Sequence, residues 1–547
     1  MYKWSLTVKV KKFFLKFLSY IKENPLIFLI YSAIFGIGIF LRFLIWRDYG
    51  SLQWDEASHS VGGIFFAKFF AGNLNSPSDY LANYPATVAS FWFYPYGYSL
   101  LASLGYLAFG ISEFTARLPS VVFSVLLIHA TISVTREVKL GRMVSLLSGF
   151  FIATSSLIII VGSGAMLDVP MTTLIIYSFL FWIRGLKNRK DKDFLKAGIL
   201  GGLAGLIKPT GILILLFIFI FGILLFLFSK DRLIFSRGFW KGILGGVSIF
   251  STWWISAVLV NFLFDGWIGE EAIRGVKYWF DFSGVFGKYV PPWYSPPWYK
   301  IEAWYYYPMH LLFAMGLLPF VFVFVGVFAR FRKAHLADLL LILFALGFYV
   351  LQTFASNKNP RYILPILPIL YVYASVGLNF VLSSIRESNL PPPRKLGCAK
   401  RTIALLIVIL VLAEAFLPLQ HALEIGYIPG MRYGFDFDTR KVLEIVMNDK
   451  EGGLIILDTQ DNLFNVYVIT FHLASMDKNG KYGCYFGILE PNEIFNFTFC
   501  GKKVRYILVQ DLNSNIGKYI NANPEFFTLL GEVENTDRSI YIYKVKG

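Results

Sequence analysis

Long apolar runs alternate with short polar and basic segments along most of this chain. Between Pro25 and Pro418 the runs reach roughly 18 to 22 residues, which a helix needs to cross about 30 Å of hydrocarbon. They must be helical, because an isolated strand cannot satisfy its backbone polar groups in lipid. The pattern predicts about eleven transmembrane helices, at 25–46, 115–135, 143–161, 170–186, 195–208, 210–229, 240–263, 309–330, 337–354, 362–383 and 401–419.

Composition and charge agree with a membrane location. The chain has 56% hydrophobic and only 16% charged residues, with a mean hydropathy of +0.58. Its net charge of +16 would suit nucleic acid only if the basic residues shared a soluble surface, whereas they lie in short loops. Because basic loops stay in the cytoplasm, we predict an integral protein of a prokaryotic plasma membrane with a cytoplasmic amino terminus and no nucleic-acid partner.

The same rule places two long loops outside the membrane, 47–114 and 264–308. Within the first, residues 96–110 contain glycines and are too short to cross, so we predict a helix lying at the outer interface. Within the second, the aromatic and proline-rich stretch 291–299 would form either a binding platform or part of the membrane's aromatic belt. A site built from these loops would face outward.

After residue 420 the composition changes to that of a soluble domain. We therefore predict a transmembrane domain at 1–420 and a small extracytoplasmic α/β domain at 421–547, reached by an odd number of spans. The tail has no phosphate loop or catalytic motif, and Cys484 and Cys500 could pair there. Its predicted elements are a helix at 441–447 and strands at 454–457, 466–471, 504–509 and 539–543.

Ionisable residues collect at the predicted outer face, where they are costly and therefore candidates for function. Asp55 and His59 share one face of a predicted helix, and Asp168 opens another. Lys208 interrupts an apolar stretch, and Arg361 begins a span. Simpler explanations stay open for each, namely helix capping by the aspartates, a snorkelling lysine and an interfacial arginine.

Two carboxylates and two cations on one face suit the transfer of a sugar from a lipid phosphate. The cations would hold the phosphate as it leaves, and a carboxylate would accept the proton of the attacking hydroxyl. One base opposite the leaving group would invert the anomeric centre. No ligand spacing requires a metal cofactor, although a divalent cation could bridge the carboxylates and the phosphate.

At these residues the chain resembles the membrane-embedded glycosyltransferases that use polyprenyl-phosphate sugars, including protein O-mannosyltransferases and the aminoarabinose transferases of lipid A. The resemblance implies a GT-C fold, a dolichyl- or undecaprenyl-phosphate sugar as donor, and a protein, lipid or glycan acceptor. It covers the membrane part and not the tail. Five segments carry it in chain order: Trp54-Asp55-Glu56-Ala57-Ser58-His59, Glu113-Phe114-Thr115-Ala116-Arg117-Leu118-Pro119-Ser120, Ala165-Met166-Leu167-Asp168-Val169-Pro170, Gly201-Gly202-Leu203-Ala204-Gly205-Leu206-Ile207-Lys208-Pro209 and Arg361-Tyr362-Ile363-Leu364-Pro365.

The resemblance also implies roles for individual residues. Asp55 would be the base, with Asp168 as its acidic partner and Glu56 as a further catalytic residue. There is one departure, because the aminoarabinose branch carries a lysine where this chain reads Phe93-Tyr94-Pro95-Tyr96-Gly97-Tyr98. The donor head group therefore cannot be copied from that branch. The substrate-binding residues would be His59, Lys208, Arg361 and Tyr362.

Two other functions remain as alternatives. The first is en bloc glycan transfer by an oligosaccharyltransferase, a family whose soluble domain carries a Trp-Trp-Asp-Tyr-Gly motif that this tail lacks. The second is a lipid or sugar transporter or flippase, which would need charges near mid-bilayer and paired broken helices. The sequence specifies neither the sugar nor the acceptor.

Overall fold

The computed structural model describes most of the chain, with gaps. The basic amino terminus, most of the 291–299 stretch and the predicted domain boundary at residue 420 lie outside the described residues. The described ranges are 23–47, 50–74, 76–263, 266–280, 296–331, 335–355, 357–387, 402–414, 416, 427–428, 431–432, 438–460, 464–477, 479–485, 489–535 and 538–546.

The part of the chain before the tail is built from α-helices. Short 3-10 turns at Pro209–Ile212 and Pro360–Ile366 interrupt it. In chain order the helices are α1 (Pro25–Arg47), α2 (Trp54–Phe70), α3 (Pro77–Asn83), α4 (Ala86–Trp92), α5 (Gly97–Phe109), α6 (Glu113–Glu137), α7 (Arg142–Thr154), α8 (Ser156–Ser163), α9 (Asp168–Asn188), α10 (Asp191–Ile207), α11 (Leu213–Ser229), α12 (Arg237–Leu263), α13 (Trp267–Phe280), α14 (Ile301–Met315), α15 (Leu317–Phe331), α16 (Leu336–Phe354), α17 (Leu367–Glu387) and α18 (Thr402–Glu414).

Seven helices in the described part are long and apolar enough to cross a membrane, and two bent helix pairs raise that number to nine. The predicted polytopic helical fold is therefore confirmed. The predicted number of about eleven spans exceeds what the described residues provide, because two of them coincide with shorter helices. The helix α10 has 17 residues, and the described part of the last predicted span is the shorter helix α18.

Two predicted spans are broken. The pair α7 and α8 bends by 52°, and the pair α14 and α15 bends by 113°. Carbonyls at a helix end lack intrahelical partners, and lipid offers none. At the end of α7, the fully buried guanidinium of Arg42 donates to the carbonyls of Ile152 and Ala153 at 3.1 and 3.0 Å. Arg42 thereby stabilises a break inside an apolar span.

Glycines allow α10 and α12 to pack with their backbones in close contact. A Cβ atom on Gly198 would lie 1.7 Å from the carbonyl oxygen of Gly242, and one on Gly202 would lie 2.4 Å from that of Gly246. Small residues at such an interface let helix backbones approach closely. This packing fixes α10, whose carboxyl end is followed directly by Lys208.

The region between α1 and α6 contains four helices that cover one end of the bundle. The predicted helix at 96–110 is confirmed as α5, which has 13 residues and packs against α2. Gly63 of α2 faces α5 so closely that a Cβ atom would lie 2.8 Å from the ring of Tyr106 and 2.9 Å from Ala102. The placement of α5 at the membrane interface stays a prediction.

The tail is an α/β unit around a mixed sheet of order β4-β3-β6-β8-β7, with β5 paired to β6. The predicted helix and three of the four predicted strands are confirmed. Cys484 is buried and Cys500 is exposed, and both are free thiols in the structure. The elements are β1 (Tyr427–Ile428), β2 (Met431–Arg432), α19 (Thr439–Asn448), β3 (Gly453–Leu457), α20 (Val466–Met476), β4 (Tyr482–Cys484), β5 (Thr498–Phe499), β6 (Lys502–Val509), α21 (Asn515–Ala522), β7 (Phe527–Asn535) and β8 (Arg538–Val545).

The predicted strand at 466–471 is wrong, because these residues begin the helix α20. Their β-branched and aromatic side chains are typical of strands. However, the side chain of Asn465 accepts hydrogen bonds from the backbone N–H groups of Tyr467 and Val468, at 3.0 and 3.1 Å, and so starts a helix. The helix is buried between the tail's sheet and the helices of the membrane part, so tertiary packing outweighs local propensity.

One hydrophobic core runs through the membrane part and the tail. At their contact, the ring of Phe471 in α20 lies 6.3 Å from the ring of Tyr106 in α5. The tail thus packs directly on the helices that follow α1. The division into two domains at residue 420 stays a prediction.

Candidate active site

Two charged side chains at the ends of neighbouring helices form the centre of the candidate site. Asp168 is the first residue of α9, and Lys208 follows the last residue of α10 with an extended backbone, as the residue before a proline prefers. The Nζ atom of Lys208 donates to Oδ1 of Asp168 at 2.6 Å, and both residues are buried. The two side chains therefore form an ion pair. The simpler explanations, a helix-capping aspartate and a snorkelling lysine, do not predict this contact.

Arg361 joins this pair to a second carboxylate. It lies in the 3-10 turn Pro360–Ile366, whose start is fixed by a 3.1 Å hydrogen bond from its backbone N–H to the side chain of Asn359. Its Nη2 donates to Oδ2 of Asp55, and its Nε lies 3.8 Å from Oδ2 of Asp168. Arg361 therefore contacts both predicted catalytic aspartates.

The ring of Tyr362 lies beside both cations. Its centroid is 4.3 Å from Nζ of Lys208 and 5.5 Å from Cζ of Arg361. A cation held over an aromatic face is stabilised by the ring's quadrupole. Tyr362 thus helps to keep two positive charges close together.

Arg361 has hydrogen-bonding capacity left over. Its side chain is almost fully buried, yet Nε has no hydrogen-bond partner among the described residues, since 3.8 Å to Asp168 is too long. Its Nη1 contacts the sulfur of Met166 at 3.1 Å, a weak acceptor. The Nε–H of this buried guanidinium can donate a charge-assisted hydrogen bond to an anion.

Asp55 and His59 have opposite protonation preferences. Burial raises the pKa of Asp55, but Arg361, His59 and Lys208 together outweigh it and hold the pKa below its usual value. Burial lowers the pKa of His59 to about 4. Its Nδ1 donates to the carbonyl of Ala165 at 2.8 Å. Near neutral pH the site therefore presents an ionised carboxylate beside a neutral imidazole.

Glu56 is fully buried, and the hydrogen bonds of its carboxylate come from groups other than Lys208 and Arg361. Its two oxygens accept from Nε and Nη2 of Arg117 at 2.8 and 3.0 Å. They also accept from the backbone N–H groups of Ala165 and Gln53, at 2.8 and 3.2 Å. These contacts join α2 to α6 and to the segment before α9, and so orient the neighbouring Asp55. The predicted catalytic role of Glu56 stays a prediction.

Two tyrosines border the site without having been predicted. The ring of Tyr94 meets that of His59 edge-on, with centroids 4.6 Å apart. The ring of Tyr467, from the tail helix α20, lies 5.5 Å from the ring of Trp54. Both contacts join segments that are far apart in the chain, so no local pattern predicts them. The aromatic residues on either side of Tyr94 were the one feature of the sequence that drew attention to that segment.

The structure brings six of the seven predicted residues into one cluster, while the Glu56 carboxylate bonds elsewhere. Among the described residues, no three His, Cys, Asp or Glu side chains are arranged to hold a metal ion. The divalent cation therefore stays a prediction from the sequence. The six residues are Asp55, His59, Asp168, Lys208, Arg361 and Tyr362.

A sequence family matches part of the chain. Residues 94–255 fit the family described as dolichyl-phosphate-mannose-protein mannosyltransferase. The matched segment includes Asp168 and Lys208 and ends before Arg361. No curated protein sequence matches the chain.

Several solved structures share the fold. ArnT from Cupriavidus metallidurans, bound to undecaprenyl phosphate, has a TM-score of 0.60 at 13% identity, over 95% of this chain and 98% of its own. The oligosaccharyltransferase AglB from Archaeoglobus fulgidus, in complex with an inhibitory peptide and a dolichol-phosphate, has a TM-score of 0.53 at 11% identity, over 90% of this chain and 70% of its own. The arabinofuranosyltransferase AftD from Mycobacteria has a TM-score of 0.52 at 13% identity, over 94% of this chain and 41% of its own.

Three observations now agree. The described part of the chain contains seven to nine apolar helices of spanning length. The fold is shared with membrane glycosyltransferases, and residues 94–255 match a mannosyltransferase family. The chain is therefore an integral membrane protein that shares the GT-C fold of ArnT and AglB, and its segment 94–255 is similar to a family of membrane glycosyltransferases.

Proposed function

We propose that the protein is an inverting glycosyltransferase that moves a sugar from a dolichyl or undecaprenyl phosphate to an acceptor at the outer membrane face. The observation that carries this proposal is the cluster of two buried cations and two carboxylates, in which Arg361 keeps an unused donor. The acceptor would be a hydroxyl of a protein, lipid or glycan.

Lys208 and Arg361 form the proposed phosphate side of the site. A lipid phosphate can accept one hydrogen bond from Nε of Arg361 and another from Nζ of Lys208, whose ammonium has donors besides the one that Asp168 accepts. Such charge-assisted hydrogen bonds strengthen as negative charge develops on the leaving phosphate. The ArnT and AglB structures contain undecaprenyl phosphate and a dolichol-phosphate, which supports a ligand of this chemistry.

Asp55 is the proposed base. The carboxylate is ionised at neutral pH because its pKa is lowered, and 32% of its side chain is exposed, so an acceptor can reach it. It takes the proton of the acceptor hydroxyl while the hydroxyl oxygen bonds to the anomeric carbon. The bond from that carbon to the phosphate oxygen breaks, and its electron pair leaves with the lipid phosphate. This single displacement inverts the anomeric centre.

The position of the cluster supports an enzyme over a transporter. The structure does contain two bent helix pairs, which the transport hypothesis expects. However, Asp55 and Asp168 lie in the first turns of their helices, and Lys208 follows a helix end. Charges at helix ends suit a site at one membrane face. That this face is the outer one rests on the distribution of basic loops.

The proposal can be tested with a panel of polyprenyl-phosphate sugars, each radiolabelled on the sugar. Membranes containing the wild type, Asp55→Asn or the control Asp79→Asn, an exposed aspartate of α3, would be compared for transfer of label to membrane acceptors. We expect Asp55→Asn to lower transfer by about a hundredfold or more, as for loss of a general base, and Asp79→Asn to have little effect. Equal transfer by wild type and Asp55→Asn would contradict the proposal. A labelled polyprenyl-diphosphate oligosaccharide in the same assay tests en bloc transfer.

A further inference from the structure

The tail contributes a wall to the candidate site. Its helix α20 packs on α2, the helix that carries Asp55. The ring of Tyr467 lies 5.5 Å from the ring of Trp54, the residue that precedes Asp55. One turn further along α20, Phe471 lies 6.3 Å from Tyr106. The tail thus packs against the residue that precedes the proposed base.

Two polar contacts fix α20 in this place. The Nζ atom of Lys68, near the end of α2, donates to the carbonyl of Ala474 at 2.7 Å. The Nε2 atom of His472 lies 3.0 Å from Oε1 of Glu113 at the start of α6. Together with the apolar contacts, they hold Tyr467 at a fixed position relative to α2.

The hydroxyl of Tyr467 is an available hydrogen-bond donor near Asp55. It has no hydrogen-bond partner among the described residues, and its ring contacts Trp54. Burial, followed by the charges of Asp55 and Glu271, raises the pKa of Tyr467 to about 12, so the phenol keeps its proton. The phenol is therefore a protonated donor beside Trp54, the residue that precedes the proposed base.

Tyr467 and the proposed phosphate side come from different parts of the chain. Tyr467 belongs to the tail helix α20, whereas Lys208 and Arg361 belong to the membrane part, where they contact Asp168 and Tyr362. In a single displacement the acceptor approaches from the side opposite the leaving group. Asp55 bonds to Arg361 of the phosphate side, and the tail packs beside Trp54, so an acceptor that enters along the tail would meet Tyr467.

We infer that Tyr467 is an acceptor-positioning residue, supplied by the tail to the transferase site. Its phenol donates a hydrogen bond to a second oxygen of the acceptor, adjacent to the hydroxyl whose proton Asp55 takes. The acceptor chemistry that fits is a hydroxyl with a neighbouring hydroxyl or carbonyl oxygen. This inference rests on the proposed transferase function.

The test compares two small acceptors that differ in the second oxygen. The purified full-length protein in detergent would receive the radiolabelled donor with equimolar glycerol, which has neighbouring hydroxyls, and methanol, which has none. The ratio of glyceryl to methyl glycoside is measured within one reaction, so the amount of folded protein does not affect it. The matched control is Tyr541→Phe. Tyr541 lies in β8 and packs against a separate cluster of buried tail residues that includes Ile507 and Val509.

We expect Tyr467→Phe to lower the glyceryl-to-methyl ratio by about tenfold, the effect of losing one neutral hydrogen bond, while Tyr541→Phe keeps the wild-type ratio. An unchanged ratio in Tyr467→Phe would overturn the inference, and so would complete inactivity, because an acceptor contact should not abolish transfer to methanol. Asp55→Asn separates the two proposals: if it forms both products at the wild-type rate, the proposed function fails whatever the ratio shows.

Discussion

Replacement of Arg117 by methionine tests whether Glu56 is a structural residue or a participant in the chemistry. The substitution keeps an unbranched chain of similar length and removes three hydrogen bonds. Two of these reach the Glu56 carboxylate at 2.8 and 3.0 Å, and the third reaches the carbonyl of Gly50 at 2.9 Å. Glu56 would remain as a buried carboxylate that accepts hydrogen bonds from the backbone N–H groups of Ala165 and Gln53.

The expected cost is large because both partners are buried, with 4% and 0% of their side chains exposed. Removing one member of a buried ion pair costs about 3–5 kcal/mol, since the other charge is left uncompensated. The double variant Glu56→Gln, Arg117→Met removes both charges, so it should be more stable than the sum of the single variants predicts, by about 1 kcal/mol or more. Urea-induced unfolding in detergent measures these differences.

The control is Arg440→Met, which removes an exposed arginine paired with Glu444 at 3.3 Å. Exposed pairs of this kind contribute at most about 1 kcal/mol, so the control should unfold like the wild type. Unchanged stability in Arg117→Met would refute the structural role. A Glu56→Gln variant with wild-type stability and no transfer would instead give Glu56 a chemical role.

Three further predictions concern the cluster and its support. Lys208→Met should weaken the binding of undecaprenyl phosphate by at least about tenfold, because it removes a charge-assisted hydrogen bond. Lys208→Arg keeps a charged donor and should retain part of the affinity. Fluorescence titration with undecaprenyl phosphate would measure both. Gly97→Ala would place a Cβ atom 2.5 Å from the carbonyl oxygen of Leu206, next to the turn that holds Lys208, so sugar transfer should fall. The control Gly36→Ala has no atom within 4 Å of its new Cβ and should transfer sugar normally. Acidification from pH 6.5 to 4 should destabilise the protein by up to about 3 kcal/mol through His59. Over this range the imidazole of the unfolded chain becomes protonated, whereas the buried imidazole, with a pKa of about 4, stays largely neutral. Unfolding midpoints at pH 4.5 and 7 would detect this loss, and His59→Gln should reduce it.

Much of the site could be predicted because its residues disturb the apolar pattern. Lys208 and Asp168 stand at the ends of apolar runs, and the predicted alternation of loops put them on one face. In the structure their side chains form a hydrogen bond of 2.6 Å. The same alternation of loops also put Arg361 on this face. In the structure Arg361 donates a hydrogen bond to Asp55, although the two residues are more than 300 positions apart in sequence.

The rest depends on contacts that no local pattern reveals. Arg117 stood in a quoted motif, but only the fold shows that it pairs with Glu56. Residues 466–471 have the composition of a strand and become a helix because Asn465 caps them and two layers bury them. The error concealed Tyr467, since its position beside Trp54 follows from that helix docking on α2.

The anomeric configuration of the product tests the central claim most directly. The claim is that Asp55 alone takes the acceptor proton in a single displacement, with Lys208 and Arg361 holding the leaving phosphate. A donor with a sugar carrying ¹³C at the anomeric carbon would be transferred by the wild type, and the product examined by NMR. The account predicts a configuration inverted relative to the donor. A product that retains the donor's configuration would contradict it, because a single displacement from the side opposite the leaving group always inverts the anomeric centre.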